Sequence, residues 1–222
     1  MRIAILGGNI TGLALAHLLI DSKNSVEITV IEERAEIGFP CKSPGIMNNS
    51  EKWLPKLENW GISPHSSGRP IENGSQSFRR AWLEKDLSLS LVEKGVSILL
   101  KTRVVNENGK NLDLRGAGAS STWQGDLVVR VPEHDGGGRS WSGVVSSQET
   151  ADGWLRDDGT WESWTEITPT PPKLNEASTP IIEINSAVEI MENEFSSFET
   201  ATIDGGLERA LTLFEGLSKS LQ

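Results

Sequence analysis

Residues 7–12 read Gly-Gly-Asn-Ile-Thr-Gly, between a short apolar run at residues 2–6 and an apolar stretch rich in helix formers at residues 11–20. This order predicts a strand, a tight turn and a helix. Residues 26–31 are rich in β-branched side chains and predict a second strand, which closes a βαβ unit. Such a connection joins parallel strands. The opening of the chain therefore predicts an α/β fold built on a parallel sheet.

The glycine turn has the features of a dinucleotide-binding site. Gly7 permits the sharp bend and Gly12 permits close packing of the helix, while backbone N–H groups at the helix N-terminus face an incoming pyrophosphate. Glu32 ends the second strand, where a carboxylate is placed to hold the hydroxyl groups of an adenosine ribose. Asn9 replaces the middle glycine and adds bulk where the phosphates approach. A glycine turn without a ligand is the alternative.

Composition and charge limit the classes of partner. The share of hydrophobic residues, 36%, is typical of a folded chain, and the formal net charge of −10 opposes binding to nucleic acid. The apolar stretch 1–20 is interrupted by the glycine turn and by His17, so we expect no integral membrane segment and a cytoplasmic protein. The single cysteine, Cys41, and three separated histidines predict neither a disulfide framework nor a metal site.

The middle of the chain predicts both helices and strands. Prolines and glycines over residues 38–74 indicate a long loop with a short helix around residues 51–60, and loops of this length commonly serve a site. Leucines at helical spacing predict a helix over residues 78–94. Residues 112–114 and 126–131 predict the two strands of a small hairpin layer.

The tryptophan-rich part of the chain differs in composition from the rest. Residues 133–172 are rich in Gly, Ser, Asp and Trp, and residues 152–165 predict a hairpin. Its tryptophans allow three interpretations: the core of a small sheet, the wall of an apolar pocket, or an exposed patch for a partner chain. Further along, residues 180–190 predict a strand and residues 206–221 an amphipathic helix.

Residues 32–45, Glu-Glu-Arg-Ala-Glu-Ile-Gly-Phe-Pro-Cys-Lys-Ser-Pro-Gly, resemble a loop of the geranylgeranyl reductase family of flavoproteins, in which an acidic strand end leads into an E-I-G-x-P stretch. Residues 78–80, Phe-Arg-Arg, and residues 204–211 at the last helix are similar to two further parts of that family. The resemblance implies an α/β, Rossmann-like, FAD-binding three-layer fold with a small β-rich, Trp-containing insertion.

The shift in composition after residue 132 and the resemblance together predict a division of the chain, and the resemblance adds a set of site residues. The parts are an FAD-binding Rossmann-like core over residues 1–132, a β-rich Trp-containing segment over 133–185, and a C-terminal strand and helix over 186–222 that return to the core. Cys41 is the candidate redox or proton-transfer group beside the flavin, with a simply packed thiol as the alternative. The implied cofactor-binding residues are Gly7, Gly8, Asn9, Ile10, Thr11, Gly12, Glu32, Glu33, Arg34, Pro40, Arg80, Asp204, Gly205, Gly206 and Leu207.

The function that the resemblance implies is hydride transfer through FAD to or from an apolar small molecule, with NAD(P)H as an electron donor. The chain is shorter than the usual family length and lacks the family's Gly-Asp signature. The alternative is therefore a non-catalytic or subunit-type protein that binds FAD or another dinucleotide and needs a partner chain. A nicotinamide-binding reductase without flavin is a third hypothesis. The sequence leaves open a homo- or hetero-oligomer.

Overall fold

A computed structural model describes residues 1–22, 25–62, 68–116, 120–132, 138–167 and 186–220. Its strands are β1 (Arg2–Leu6), β2 (Glu27–Ile31), β3 (Ile46–Met47), β4 (Gly68–Pro70), β5 (Gln76–Phe78), β6 (Ser97–Leu99), β7 (Arg103–Asn108), β8 (Asn111–Arg115), β9 (Ser120–Gln124), β10 (Leu127–Arg130), β11 (Arg139–Ser146), β12 (Trp154–Leu155), β13 (Trp161–Ile167) and β14 (Ala187–Phe195). Its α-helices are α1 (Ile10–Asp21), α2 (Ser50–Asn59), α3 (Arg80–Glu93), α4 (Phe198–Ala201) and α5 (Ile203–Ser220).

The centre of the molecule is a parallel sheet in the order β10-β1-β2-β6. β1, α1 and β2 form the predicted βαβ unit, and the helices predicted around residues 51–60 and 78–94 are confirmed as α2 and α3. Because α1 is covered on nearly every side, its residues from Ile10 to Leu19 are all buried. The main core joins these helices to the apolar side chains of the sheet. This arrangement is the coarse α/β, Rossmann-like fold that the sequence predicts.

The hairpin prediction is wrong at its second strand. β8 pairs with β9 in an antiparallel hairpin, whereas β10 lies parallel to β1 in the central sheet. The physical reason is that β10 is an apolar run flanked by Gly125 and Pro132, and an apolar run suits a parallel strand as well as a hairpin strand. As a result, the end of β10 lies beside the glycine turn.

The tryptophan-rich residues form a second sheet, antiparallel, in the order β12-β13-β11-β14. The predicted hairpin is confirmed as β12 and β13. Trp154 is buried, in agreement with a core role, whereas Trp141, Trp161 and Trp164 are half-buried. Residues 133–137 and 168–185, including the start of the strand predicted over 180–190, lie outside the described residues.

The C-terminal strand and the C-terminal helix pack against different parts of the molecule. β14 was expected to return to the N-terminal core, but it pairs with β11 in the antiparallel sheet. Only the helix returns, because α5 packs along α1. α5 also begins three residues earlier than predicted, so residues 204–206 lie inside its first turn. Among the described helices, none is long and apolar enough to cross a membrane.

Candidate functional site

The turn between β1 and α1 requires glycine at two positions. Gly7 has φ +127°, and a Cβ there would lie 2.2 Å from the carbonyl oxygen of Val131. A Cβ on Gly12 would lie 2.0 Å from the carbonyl oxygen of Gly7. Both distances are far inside van der Waals contact, so the turn can be this tight only without side chains. The turn brings the start of α1 against the carboxyl end of β10.

Glu32 lies at the carboxyl end of β2, facing the turn. Its carboxylate accepts hydrogen bonds from Gly8 N–H (2.7 Å), Arg34 N–H (2.8 Å) and the Arg34 guanidinium (3.1 Å). Burial opposes ionisation, but the bonds from Arg34 and Gly8 outweigh it and lower the pKa of Glu32 below its ordinary value. The group is therefore an ionised acceptor at neutral pH, held at the strand end where a ribose would be recognised.

Asn9 occupies the N-cap position of α1 and fills part of the approach to the helix. Its Oδ1 accepts from Gly12 N–H (3.1 Å), and its Nδ2 donates to the carbonyl oxygens of Val131 (3.2 Å) and Pro132 (3.1 Å). The side chain thus satisfies a helix N–H group that an anion would otherwise bind. It also ties the glycine turn to the end of β10.

Two cavities open near the end of β10. One, of about 420 Å³, lies over the carboxyl ends of the parallel strands; its lining includes Gly7, Asn9, Ile31, Glu32, Glu33, Arg34, Thr102, Val104, Arg130 and Val131. The other, of about 640 Å³, lies between α1, the end of β10 and α5. Both contain Arg130 and Val131 in their walls. Crevices at the carboxyl ends of parallel strands are the usual ligand sites of such sheets.

Arg80 and Cys41 meet in a small compartment beside Asn9. Arg80 is buried; it pairs with Glu84 (3.1 Å) and donates to the carbonyl oxygens of Pro44 (3.2 Å) and Ala201 (2.6 Å). The space left in this compartment is only about 10 Å³. Arg80 therefore connects its own helix, α3, to the segments that contain Pro44 and Ala201. Its side chain also lines the compartment.

Cys41 is half-buried as a residue, and its thiol, at the inner end of the side chain, donates to the carbonyl oxygen of Ser43 at 3.6 Å. Burial raises the pKa of the Cys41 thiol to about 12, and the negative charges of Glu84 and Glu162 act in the same direction against Arg80. A thiol with this pKa stays protonated at neutral pH and is a poor nucleophile. Cys41 is thus suited to donate a hydrogen bond rather than to attack a substrate.

The C-terminal candidates have contacts that fix the packing of α5. Asp204 accepts from the backbone N–H groups of Asn48 (2.6 Å) and Asn49 (2.9 Å), ahead of α2. Gly206 touches α1, where Thr11 Oγ1 donates to its carbonyl oxygen at 3.0 Å. Leu207 is in the core, and Gly205 lies in the wall of the larger cavity. Of these candidates, Asp204, Gly205 and Thr11 reach a cavity.

The remaining predicted residues are dispersed. Ile10 is fully buried in the core, Pro40 is exposed, and Gly8 packs beside Ile37 with its N–H bound to Glu32. Glu33 and Arg34 line the 420 Å³ cavity. Among the described residues, no group of three or more His, Cys, Asp or Glu side chains is arranged to hold a metal ion.

Sequence reasoning missed two kinds of site residue. Arg130 and Val131 were assigned to a hairpin, although the apolar run followed by Pro132 was a signal for a parallel strand. The tryptophan-rich stretch contains Glu162, whose negative charge acts on the Cys41 thiol, and Arg156, whose Nη1 lies 3.8 Å from Glu162 Oε2; neither was singled out. The period of two along β13 places the Glu162 carboxylate on the same face as Trp164, and a charged group on a tryptophan face was the available signal.

Comparison with known proteins finds similarity in structure alone. No family model and no curated protein matches the chain. A geranylgeranyl bacteriochlorophyll reductase-like protein from Thermoplasma acidophilum has a TM-score of 0.62 at 10% identity, over 99% of this chain and 79% of that one. BexE, studied for oxidation during BE-7585A biosynthesis, has a TM-score of 0.63 at 12% identity, over 97% and 61%. A flavoprotein/dehydrogenase from Cytophaga hutchinsonii has a TM-score of 0.59 at 11% identity, over 97% and 79%.

The chain shares its fold with these three proteins. The similarity extends over nearly the whole chain, so it includes the antiparallel sheet as well as the parallel one. It agrees with the family resemblance of residues 32–45. The chain nevertheless spans only 61% of BexE, and it is shorter than each of the three structures.

Proposed function

We propose that this chain is an FAD-binding oxidoreductase. One observation carries the proposal: a 420 Å³ cavity opens at the carboxyl ends of the parallel strands, between a two-glycine turn and the ionised carboxylate of Glu32. An adenosine dinucleotide needs that combination of strand-end carboxylate, tight turn and helix N-terminus. The flavoprotein-like fold of the neighbours supports flavin as the second half of the dinucleotide.

Bound FAD would contact the chain in three places. The adenosine would lie in the 420 Å³ cavity, with its ribose hydroxyls on Glu32. The pyrophosphate would lie at the start of α1, where the helix dipole favours negative charge and where Arg130, which pairs with Glu107, lines the wall. The flavin would extend toward Cys41 and Arg80, where the compartment has to widen to admit it. Asn9 is the one side chain that competes with the cofactor, because it already occupies a helix N–H group.

Bound FAD would supply hydride transfer, and the protein would supply position and electrostatics. Arg80 holds a positive charge beside the compartment, and the protonated Cys41 thiol offers a hydrogen-bond donor there. We propose NAD(P)H as the electron donor and an apolar small molecule as the substrate. Two exposed aromatic side chains, Phe39 (64% exposed) and Trp82 (54% exposed), line the same small cavity as Cys41 and support an apolar substrate.

The test is the binding of FAD to the purified chain, followed by flavin absorbance and fluorescence. We expect ADP to compete with FAD, because both would place an adenosine in the Glu32 cavity. Glu32→Gln is expected to weaken FAD binding by about ten-fold, since a neutral amide is a weaker acceptor for ribose hydroxyls. Glu27→Gln is the matched control and is expected to change affinity little, because Glu27 is an exposed residue of the same strand, pairs with Arg2 and lies outside the lining of the cavity. A chain that takes up neither FAD nor ADP would exclude the proposal.

A second candidate is a non-catalytic, subunit-type protein that binds FAD or another dinucleotide and needs a partner chain. β14 lies at one edge of the four described antiparallel strands, and its outward side chains Val188 and Ile190 are 67% and 56% exposed. Exposed apolar side chains on an edge strand favour pairing with another chain. Reduction of bound flavin by NAD(P)H in the isolated chain would decide for the enzyme.

A further inference from the structure

Helix α3 presents apolar side chains to solvent on the face opposite its buried stripe. The stripe that packs in the core, at helical spacing, consists of Leu83, Leu87 and Leu91. On the opposite face Trp82, Leu89 and Val92 are 54%, 56% and 53% exposed. A surface helix normally carries charged and polar residues there, so this face has the character of a contact surface.

The spacing on the exposed face is that of a helix-pairing seam. Its residues are Trp82, Lys85, Leu89 and Val92, which follow one another at intervals of three, four and three. Residues at these intervals lie in a line along one side of a helix and meet the matching line of a second helix. The partner that fits this face is therefore another helix.

The length of the helix sets the size of such a contact. α3 has 14 residues and is about 21 Å long. A single pair of helices of this length buries less than the ~800 Å² per partner of a standard protein interface. The contact is therefore expected to be reversible and weak.

The charges on this face are complementary to those of a second copy. Lys85 and Glu93 are exposed, have opposite charges, and lie four residues before and four residues after Leu89. If two α3 helices run antiparallel about a two-fold axis at Leu89, Lys85 of each copy faces the partner's Glu93. In a parallel pair like charges would meet. Such self-complementarity is what a two-fold contact between identical chains requires.

The neighbouring charges leave this match intact. Arg79, ahead of α3, pairs with Asp158, and the Lys94 ammonium donates to a carbonyl oxygen at the end of α2, away from the exposed face. Lys85 also pairs with Glu36, but both side chains of that pair are about half exposed. Exposed pairs of this kind contribute little, so Lys85 can exchange its partner.

We propose that α3 pairs with α3 of a second copy of this chain, antiparallel, around a two-fold axis at Leu89. Leu89 then contacts the partner's Leu89, and Trp82 and Val92 are partly covered on the two sides of that contact. The pairing needs no flavin, so it goes beyond the proposed oxidoreductase function and is tested on the chain without cofactor.

The first experiment is analytical ultracentrifugation of the purified chain over a range of concentrations. We expect a monomer–dimer equilibrium with a dissociation constant on the order of 10 μM, because the contact is smaller than a standard interface. A chain that remains monomeric at concentrations of about 300 μM overturns the proposal.

Two matched variants locate the contact. Leu89→Glu places two like charges on the two-fold axis and is expected to weaken the dimer at least about ten-fold. Ile190→Glu is the control, because Ile190 is also 56% exposed but lies on the edge strand β14. It is expected to leave the dimer unchanged. Both positions are exposed, and circular dichroism checks that both variants are folded. A dimer that is lost in Ile190→Glu and kept in Leu89→Glu would place the contact at β14 and overturn the proposal.

Exchange of charges tests the antiparallel direction. Lys85→Glu alone and Glu93→Lys alone each bring like charges together twice, so each is expected to weaken self-association. An equal mixture of these two variants is expected to form a mixed dimer, and the double variant Lys85→Glu/Glu93→Lys is expected to associate as the parent chain does. Single variants that associate as strongly as the parent chain, or a mixture and a double variant that both stay monomeric, would show that these charges do not face each other and would reject the proposed pairing.

Discussion

At the scale of single residues, Asn9 is the side chain that most affects the proposed cofactor. It stands where a glycine would let a pyrophosphate approach, and its amide binds Gly12 N–H and two carbonyl oxygens at the end of β10. A phosphate would have to displace these bonds or bind beside them. Asn9 therefore joins α1 to the end of β10 at the place where the proposed pyrophosphate would bind, and we expect it to lower the affinity for FAD.

We expect Asn9→Gly to tighten FAD binding by about ten-fold, because the helix N–H groups become available and the bulk is removed. Asn9→Asp keeps the size but adds a negative charge, so it is expected to weaken binding by at least as much. Flavin fluorescence titration measures both. Weaker binding in Asn9→Gly would mean that the Asn9 amide itself contacts the cofactor.

His17 is a second residue whose chemistry depends on burial. Its ring stacks on Trp60 at 4.8 Å, Nε2 faces the carbonyl oxygen of Leu87 at 3.2 Å, and Lys94 Nζ lies 3.4 Å from Nδ1. Because an ammonium group can only donate, Nδ1 accepts and the proton resides on Nε2. Burial, together with the Lys94 charge, lowers the pKa of His17 from 6.5 to about 3.

This shift makes stability depend on pH. The unfolded chain binds the proton near pH 6.5 and the folded chain only near pH 3, so the contribution of His17 is complete above pH 6.5 and is lost as pH falls from 6.5 to about 3. The loss is on the order of a few kcal/mol. We expect urea unfolding at several pH values to show a shallower slope in this window for His17→Gln. Lys94→Met is expected to move the lower end of the window upward, and an unchanged slope in His17→Gln would contradict the assignment.

At the scale of elements, the contact between α1 and α5 determines where the C-terminal helix lies. A Cβ on Gly206 would be 2.2 Å from Ile10 Cγ2, so the two helices are in contact through a position without a side chain. Ile10 is fully buried and cannot move into open space. The glycine is needed for helix packing, which is a different role from the cofactor contact that the resemblance implies.

We expect Gly206→Ala to destabilise the fold by about 1–3 kcal/mol, because the added methyl group overpacks the contact with Ile10. Gly216→Ala in the same helix is the matched control. A Cβ there meets nothing within 4 Å, so it is expected to stabilise by about 0.5–1 kcal/mol through helix propensity. Chemical denaturation measures both. A stabilising Gly206→Ala would show that the helices separate easily.

At the scale of the whole molecule, a few polar side chains join the antiparallel sheet and the C-terminal segment to the N-terminal unit. Glu162 binds Gly45 N–H, and Ser77 Oγ donates to the carbonyl oxygen of Leu155 at 2.8 Å. Arg80 connects α3 to Pro44 and to Ala201, which is 121 residues away in sequence. The proposed flavin position lies beside the connection made by Arg80.

We expect Arg80→Met to cost about 3–5 kcal/mol in stability, because it leaves the buried Glu84 carboxylate without its partner. The double variant Arg80→Met/Glu84→Met is expected to recover a large part of that loss. Lys85→Met on the same helix is the control; its exposed pair with Glu36 contributes less than about 1 kcal/mol. If the double variant is no more stable than the single one, the carbonyl contacts of Arg80 dominate and the charge pair does not.

Sequence alone determined the local elements and the part of the proposed cofactor site formed by the glycine turn and Glu32. The glycine turn, Glu32, the helices α1, α2 and α3 and the hairpin of β12 and β13 were all predicted, since turns, caps and hydrophobic periodicity are encoded by neighbours in the chain. The Rossmann-like parallel sheet follows from the same local βαβ pattern.

Tertiary structure decided the partners of these elements. β10 lies beside β1, and β14 pairs with β11. Asp204 lines a cavity, and its carboxylate also accepts hydrogen bonds from the backbone ahead of α2. Tertiary structure also placed Arg156 and Glu162 opposite the first turn of α3. Pairing and burial depend on contacts between residues far apart in sequence, and an apolar strand fits several partners equally well until the whole chain is packed.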